Sequence, residues 1–212
     1  MKRVFGALVV AALLASCSAL DQKINYADGL AGKDDPIGLK GKAVTVSLLG
    51  SGIKLQAVTT TTGTFDDISG IPSGVALKEW GFTLDLTTPS GGATMSGSNC
   101  PSTLTVTVNS LTLKVTDAAN ITGQPAPITS APASINLTES ATDCVYNVPA
   151  SPIKISAKIA GNDLSNLVNI ITKGGVNTVT ATLDTTTSPT GYAGRTLGLQ
   201  FGSGTGYIIA GI

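Results

Sequence analysis

From Ala43 onward the chain alternates apolar and polar residues with a period of two, the pattern of strands with one face buried and the other wet. Ala43 to Leu49 and Ile53 to Val58 are two such runs, and Gly50-Ser51-Gly52 between them predicts a hairpin. Trp80 to Thr87 places Trp80, Phe82, Leu84 and Leu86 on one face. Thr103 to Val108 and then Leu111, Leu113 and Val115 continue the alternation, with Asn109-Ser110 as a turn or a bulge. Ser134 to Thr138, Cys144 to Val148 and Ile153 to Ile159 follow, the last with Lys154, Ser156 and Lys158 on its wet face. Val176 to Asp184, Thr196 to Phe201 and Tyr207 to Ile212 are the closing strands. The glycine-rich Gly202 to Gly206 between the last two reads as a flexible turn.

One segment departs from the two-residue period. Leu164, Leu167, Val168 and Ile171 stand at i, i+3, i+4 and i+7, one face of a helix near residues 163–173. Asn162 or Asp163 is its N-cap and Gly174-Gly175 its stop. Gly, Ser and Pro clusters punctuate the strands. The expected fold is therefore all-β, an antiparallel β-sandwich or strongly curved sheet with one short amphipathic helix, in a single domain over residues 43–212.

The first residues obey a different rule. Lys2 and Arg3 are followed by an unbroken apolar run, Val4 to Leu14. As a helix this run spans about 16 Å, roughly half a hydrocarbon core, so it suits a secretory signal better than a membrane span. Leu14-Ala15-Ser16-Cys17 resembles the lipobox of bacterial lipoproteins: an aliphatic residue, two small ones, then cysteine. The resemblance covers residues 1–17. It implies a signal peptide over 1–16, cleavage before Cys17, and diacylglycerol and acyl (palmitate-type) chains on Cys17, anchoring the chain to a membrane surface. It also implies a cell-envelope location. Ser18, rather than Asp, after the cysteine is compatible with the outer membrane where the cell has one. Residues 17–42, rich in Gly, Asp, Lys and Ala, then read as a flexible tether, with Ile24 to Tyr26 as an alternative edge strand.

Removing the leader changes the charge and cysteine counts. It carries two of the thirteen basic residues and no acidic one, leaving eleven against thirteen, a formal charge of −2. Without a basic face, no nucleic-acid partner is expected. The remaining 196 residues hold all 29 threonines, which suits strands rather than disorder. With Cys17 set aside, Cys100 and Cys144 remain as an even pair in an exported chain and predict a disulfide, with two free buried thiols as the alternative.

Catalytic chemistry is sparse. The chain has no histidine, which removes the commonest general base and metal ligand. The acids Asp66, Asp67, Glu79, Glu139, Asp143 and Asp163 show no spacing that selects a pair. No calcium loop or phosphate loop is present. No metal or other cofactor is expected. Trp80 and Phe82, with Leu164, Leu167, Val168 and Ile171 of the helix, could line a pocket for an acyl chain, although core packing is their plainer role. Two expectations follow: a non-catalytic, lipid-anchored envelope protein that is structural or binds another envelope protein, or a carrier or sensor of a hydrophobic ligand such as a lipid.

Overall fold

A computed structural model of the chain describes residues 22–26, 34–35, 37–48, 57–66, 76–117, 128–171 and 176–211. The leader, Cys17 and the expected link at 50–52 lie outside them. The described strands are β1 (Gln22–Tyr26), β2 (Ala43–Ser47), β3 (Ala57–Asp66), β4 (Ala76–Thr87), β5 (Ala93–Thr94) and β6 (Thr103–Asp117). They continue with β7 (Ile128–Thr129), β8 (Ala133–Thr138), β9 (Val145–Tyr146), β10 (Ile153–Ala160), β11 (Val176–Ser188) and β12 (Thr196–Gly211). One helix, α1 (Gly161–Ile171), joins β10 to β11.

The strands form two main antiparallel sheets. In the first, β12 lies between β4 and the two short strands β1 and β2, and β10 lies outside β4. In the second, β6 lies between β11 and the short strands β7 and β8, and β3 lies outside β11. The apolar faces of both enclose one core, in which Phe82, Leu84, Leu86, Leu104, Val106, Leu111, Leu183, Leu199 and Phe201 are buried. The result is the expected all-β sandwich.

Each sheet is organised by one long strand with an extra residue near its middle. On β6 the pairing steps from Asp184↔Ser110 to Thr185↔Val108, so Asn109 is the bulged residue. Leu104, Val106 and Val108 point inward before it, and Leu111, Leu113 and Val115 after it. The bulge keeps both apolar sets on the core side. The Asn109 amide faces the other way and donates to Asp184 Oδ1 at 3.1 Å. On β12 the pairing steps from Phe201↔Leu86 to Gly204↔Leu84. Leu197, Leu199 and Phe201 are buried before the step; Gly204, Gly206 and Ala210 are buried after it. Gly202 to Gly206 is thus part of one sixteen-residue strand, not a turn between two.

The expected hairpin is only partly described: residues 49–56 lie outside the described residues, while Ala57 and Val58 belong to β3, which pairs with β11, and β2 pairs with β12, so β2 and β3 lie side by side as edges of different sheets. Alternation identifies strands but does not name partners, and here the chain crosses from one sheet to the other. The domain also begins before Ala43. Gln22–Tyr26 pairs with β12 as an edge strand, the alternative role of that segment, and Ile37 and Leu39 are 1% and 0% exposed in the core. Asp35 Oδ1 accepts the Leu39 N–H at 2.9 Å, while Gly204 donates its N–H to Asp34 O and Phe201 to Lys42 O. These bonds tie the segment onto the bulged part of β12.

The helix occupies Gly161–Ile171, two residues earlier than its spacing suggested. Leu164 and Leu167 are buried against β4, β6 and β10, closing one end of the sandwich. Burial of two leucines contributes about 3–6 kcal/mol by area. Its opposite face, with Asn162, Asp163, Ser165, Asn166 and Asn169, is exposed.

The wet face of the first sheet is held by cross-strand pairs. Lys154 bonds Asp85 at 3.0 Å, Ser156 shares a hydrogen bond with Thr83 at 2.8 Å, and Lys158 bonds Glu79 at 2.9 Å. Exposed ion pairs of this kind contribute at most about 1 kcal/mol each. The Tyr207 ring is more consequential. It lies across its register partner Gly81, where any Cβ would overlap it, and its hydroxyl donates to Glu79 Oε1. That bond, with burial and the Glu79 charge, raises the Tyr207 pKa. Gly81→Ala should displace the ring and cost about 1–3 kcal/mol, measured by chemical denaturation. Ultraviolet titration of the same variant should find the Tyr207 phenol titrating at lower pH than in the parent.

Candidate functional site

Four of the six residues expected to line an acyl pocket, Trp80, Phe82, Leu164 and Leu167, sit in the core. Trp80 and Phe82 are each 2% exposed and meet edge to face at 6.2 Å, and Leu164 and Leu167 are 2% and 0% exposed. Side chains with so little accessible surface border no opening. Val168 is partly buried against them, and the Ile171 side chain lies outside the described residues.

The Asp66 and Asp67 side chains lie outside the described residues, and the acids that are described have structural partners or stand exposed. Glu79 serves Lys158 and Tyr207 on the wet face of the first sheet. Glu139 Oε1 accepts the Cys144 N–H at 2.7 Å. The Asp143 carboxylate accepts the N–H groups of Asn99 and Cys100 at 3.2 and 3.4 Å. Asp163 is exposed in the first turn of α1, where a carboxylate offsets the positive helix end.

Cys100 and Cys144 form the expected disulfide, with Cα atoms 5.1 Å apart. Asp143 lies against it, but the two sulfurs are bonded to each other and supply no thiolate for a metal. The bridge ties the start of β6 to a tight hairpin between β8 and β9. Within that hairpin Cys144 has φ +63°, and its N–H is held by Glu139. Ser140 donates to Val145 O at 2.7 Å, and Glu139 donates to Ser102 O at 2.9 Å. Tyr146, fully buried beneath, donates its hydroxyl to Pro101 O at 2.8 Å. Arg195 stacks over the Tyr192 ring at 5.2 Å and directs Nη1 to Cys100 Sγ.

Just beyond this hairpin the chain opens into a groove of about 480 Å³. Its floor is β8, with Ser134, Ile135, Asn136 and Thr138; its wall is the segment Asn147 to Pro152. The origin of the groove is local. Asn147 donates its N–H to Thr138 O at 2.9 Å, the last bond of the hairpin. Pro149 and Pro152 then offer no N–H, and β10 starts at Ile153 to pair with β4 in the other sheet. The wall therefore leaves β8 instead of zipping onto it. The lining carries hydroxyl and amide groups and no charge. Val148 on the wall is 51% exposed, the large apolar side chain most open to solvent among the described residues.

Sequence reading missed this groove because it forms where the chain leaves β8 for the other sheet, a change of partner that alternation does not mark. The available signal was Val148-Pro149 and Pro152 directly before a strongly alternating run, which marks a segment unable to pair.

The hairpin supports two predictions. The disulfide closes a loop of 44 residues, so replacing both cysteines with serine should cost about 4 kcal/mol in denaturant unfolding. Alkaline titration forms the second. Burial, followed by the nearby Glu139 charge, pushes the Tyr146 pKa up to about 12. The phenol ionises first in the unfolded chain, so its contribution to stability is complete below pH 10 and lost as pH rises toward about 12. Tyr146→Phe should remove that part of the alkaline loss and cost about 1 kcal/mol at neutral pH for the hydrogen bond to Pro101.

No family model matches the chain, and no curated protein matches it. Among solved structures it is similar to a CocE/NonD family hydrolase from Staphylococcus aureus, at 9% identity and a TM-score of 0.25, over 93% of this chain and 38% of that one. The chain thus spans well under half the length of that hydrolase.

Proposed function

We propose that this is a non-catalytic, lipid-anchored envelope protein whose β-sandwich is a protein-binding module. The observation that carries the binding half is the groove beside β8: uncharged, lined by hydroxyl and amide groups, bordered by exposed Val148, and set next to a disulfide-fixed hairpin. Such a surface suits a polypeptide, whose main chain offers uncharged donors and acceptors at regular spacing. The anchoring half rests on the sequence. Lys2, Arg3, the apolar run and Leu14-Ala15-Ser16-Cys17 occur in the order of a lipoprotein leader. The disulfide agrees with export, since such bridges persist in oxidising compartments. A hydrophobic-ligand carrier draws no support from the described residues, because Trp80, Phe82, Leu164 and Leu167, which would line its pocket, are packed in the core.

Cys17→Ser tests the anchor. The variant should lose incorporation of an alkynyl fatty acid and move from the membrane pellet to the soluble fraction, with its Cys100–Cys144 bridge intact. Unchanged labelling or sedimentation would sink the lipid anchor. For the binding module, photo-crosslinkers placed around the domain in cells should return the same envelope polypeptide under several growth conditions; none at any position would count decisively against it.

A further inference from the structure

We infer that the free edge of β8 takes up an extended segment of a partner polypeptide as an added strand. This rests on the protein-binding reading and specifies how the partner is held. Within a strand the N–H and C=O of one residue point to the same side, and those of the next to the other. Two bonds fix the phase here. Glu139 donates toward β6 through Ser102 O, and Thr138 O turns away to accept from Asn147. Ile135 and Leu137 therefore share the side of Glu139 and bond to β6, opposite Val106 and Leu104. Ser134 and Asn136 share the side of Thr138, and their N–H and C=O groups face the groove. Among the described residues no main-chain bond satisfies them.

The dimensions suit a strand. Ser134 to Thr138 covers about 14 Å at ~3.4 Å per residue. Pro149 and Pro152 keep the wall from closing this edge, and Val148 offers an apolar contact beside it. The Ser134 and Asn136 side chains are engaged with Thr107 and Thr105 at 2.9 and 2.8 Å, leaving the main chain as the recognition element. The occupant is thus defined by extended conformation and small, uncharged side chains rather than by charge.

The test uses the full chain in cells, with benzoylphenylalanine in place of Val148 and, as a comparator, in place of exposed Lys114 on the outer face of β6. Asn136→Pro removes one groove-facing N–H and spares the bonds to β6, since proline is tolerated on an edge strand. Asn136→Ala loses the same side chain but keeps the N–H. Cross-links from position 148 to an extended segment of another polypeptide should persist in Asn136→Ala and fall about tenfold in Asn136→Pro, as expected for loss of a main-chain hydrogen bond from a small interface. Should Asn136→Pro fail to fold, hydrogen exchange of the unsubstituted protein provides the second measurement. The Ser134 and Asn136 amides should exchange fast and those of Ile135 and Leu137 slowly; equal protection overturns the free edge. Equal cross-linking in the proline and alanine variants, adducts to lipid or glycan, or adducts to a second copy of this chain overturn strand addition. Adducts at Lys114 with none at Val148 overturn it while leaving protein binding intact. Silence at both positions overturns strand addition, and silence at every surface position overturns the binding module as well.

Discussion

The fold depends on one extra residue inside each of two long strands. A strand presents alternate residues to alternate faces, so an extra residue moves everything beyond it to the opposite side. In β6 the apolar residues change from even to odd numbers at Asn109. A regular ladder would bury Ser110, Thr112 and Lys114 in the second half, and the bulge prevents this. In β12 the same device turns Gly204 and Gly206 toward Leu84 and Phe82, and turns Tyr207 outward over Gly81. Small residues thus sit beside large ones on the core face of one sheet, and the ring covers Gly81, which lacks a side chain.

The bulges also coincide with breaks in the neighbouring edges. β12 is flanked by β2 on one side of its bulge and β1 on the other; β6 is flanked by β8 and then β7. A bulge locally increases twist and disrupts the ladder, which accounts for short flanking strands in place of a continuous one. The gap in each edge is filled by chain rather than left open. Ile37 and Leu39 enter the core beside the β12 bulge, and buried Ser130 exchanges hydrogen bonds with Leu111 beside the β6 bulge.

What the sequence revealed depends on which physical signal each element carries. Ile153 to Ile159 was legible because each inward position is aliphatic and each outward one is Lys, Ser or Lys, or small. The helix was legible because Leu164, Leu167 and Val168 fit no two-residue period. Gly202 to Gly206 was misread because glycine gives no indication of which face it occupies, so a parity change among glycines is invisible. Residues 34–42 were misread for a related reason: a polar, glycine-containing composition outweighed the two apolar residues that fix the segment. The disulfide emerged from counting, since the lipobox reading left one pair. The groove remained hidden because only knowledge of where β10 pairs shows that an edge of β8 is left open.

The strand β1 has a consequence for posture. With lipid on Cys17, the ordered sheet resumes at Gln22, and only Ser18 to Asp21 lie between. Four residues reach about 14 Å at full stretch, a leash too short for the domain to tumble freely above a bilayer. Gln22 pairs with Ala210, which also pairs with Leu77, at the end of the sandwich closed by α1. The disulfide hairpin stands at the far end of β6. In the anchored protein proposed above, α1, which exposes Asp163 beside its amides and hydroxyls, would be the root nearer the bilayer, and the open edge of β8 would lie toward the tip.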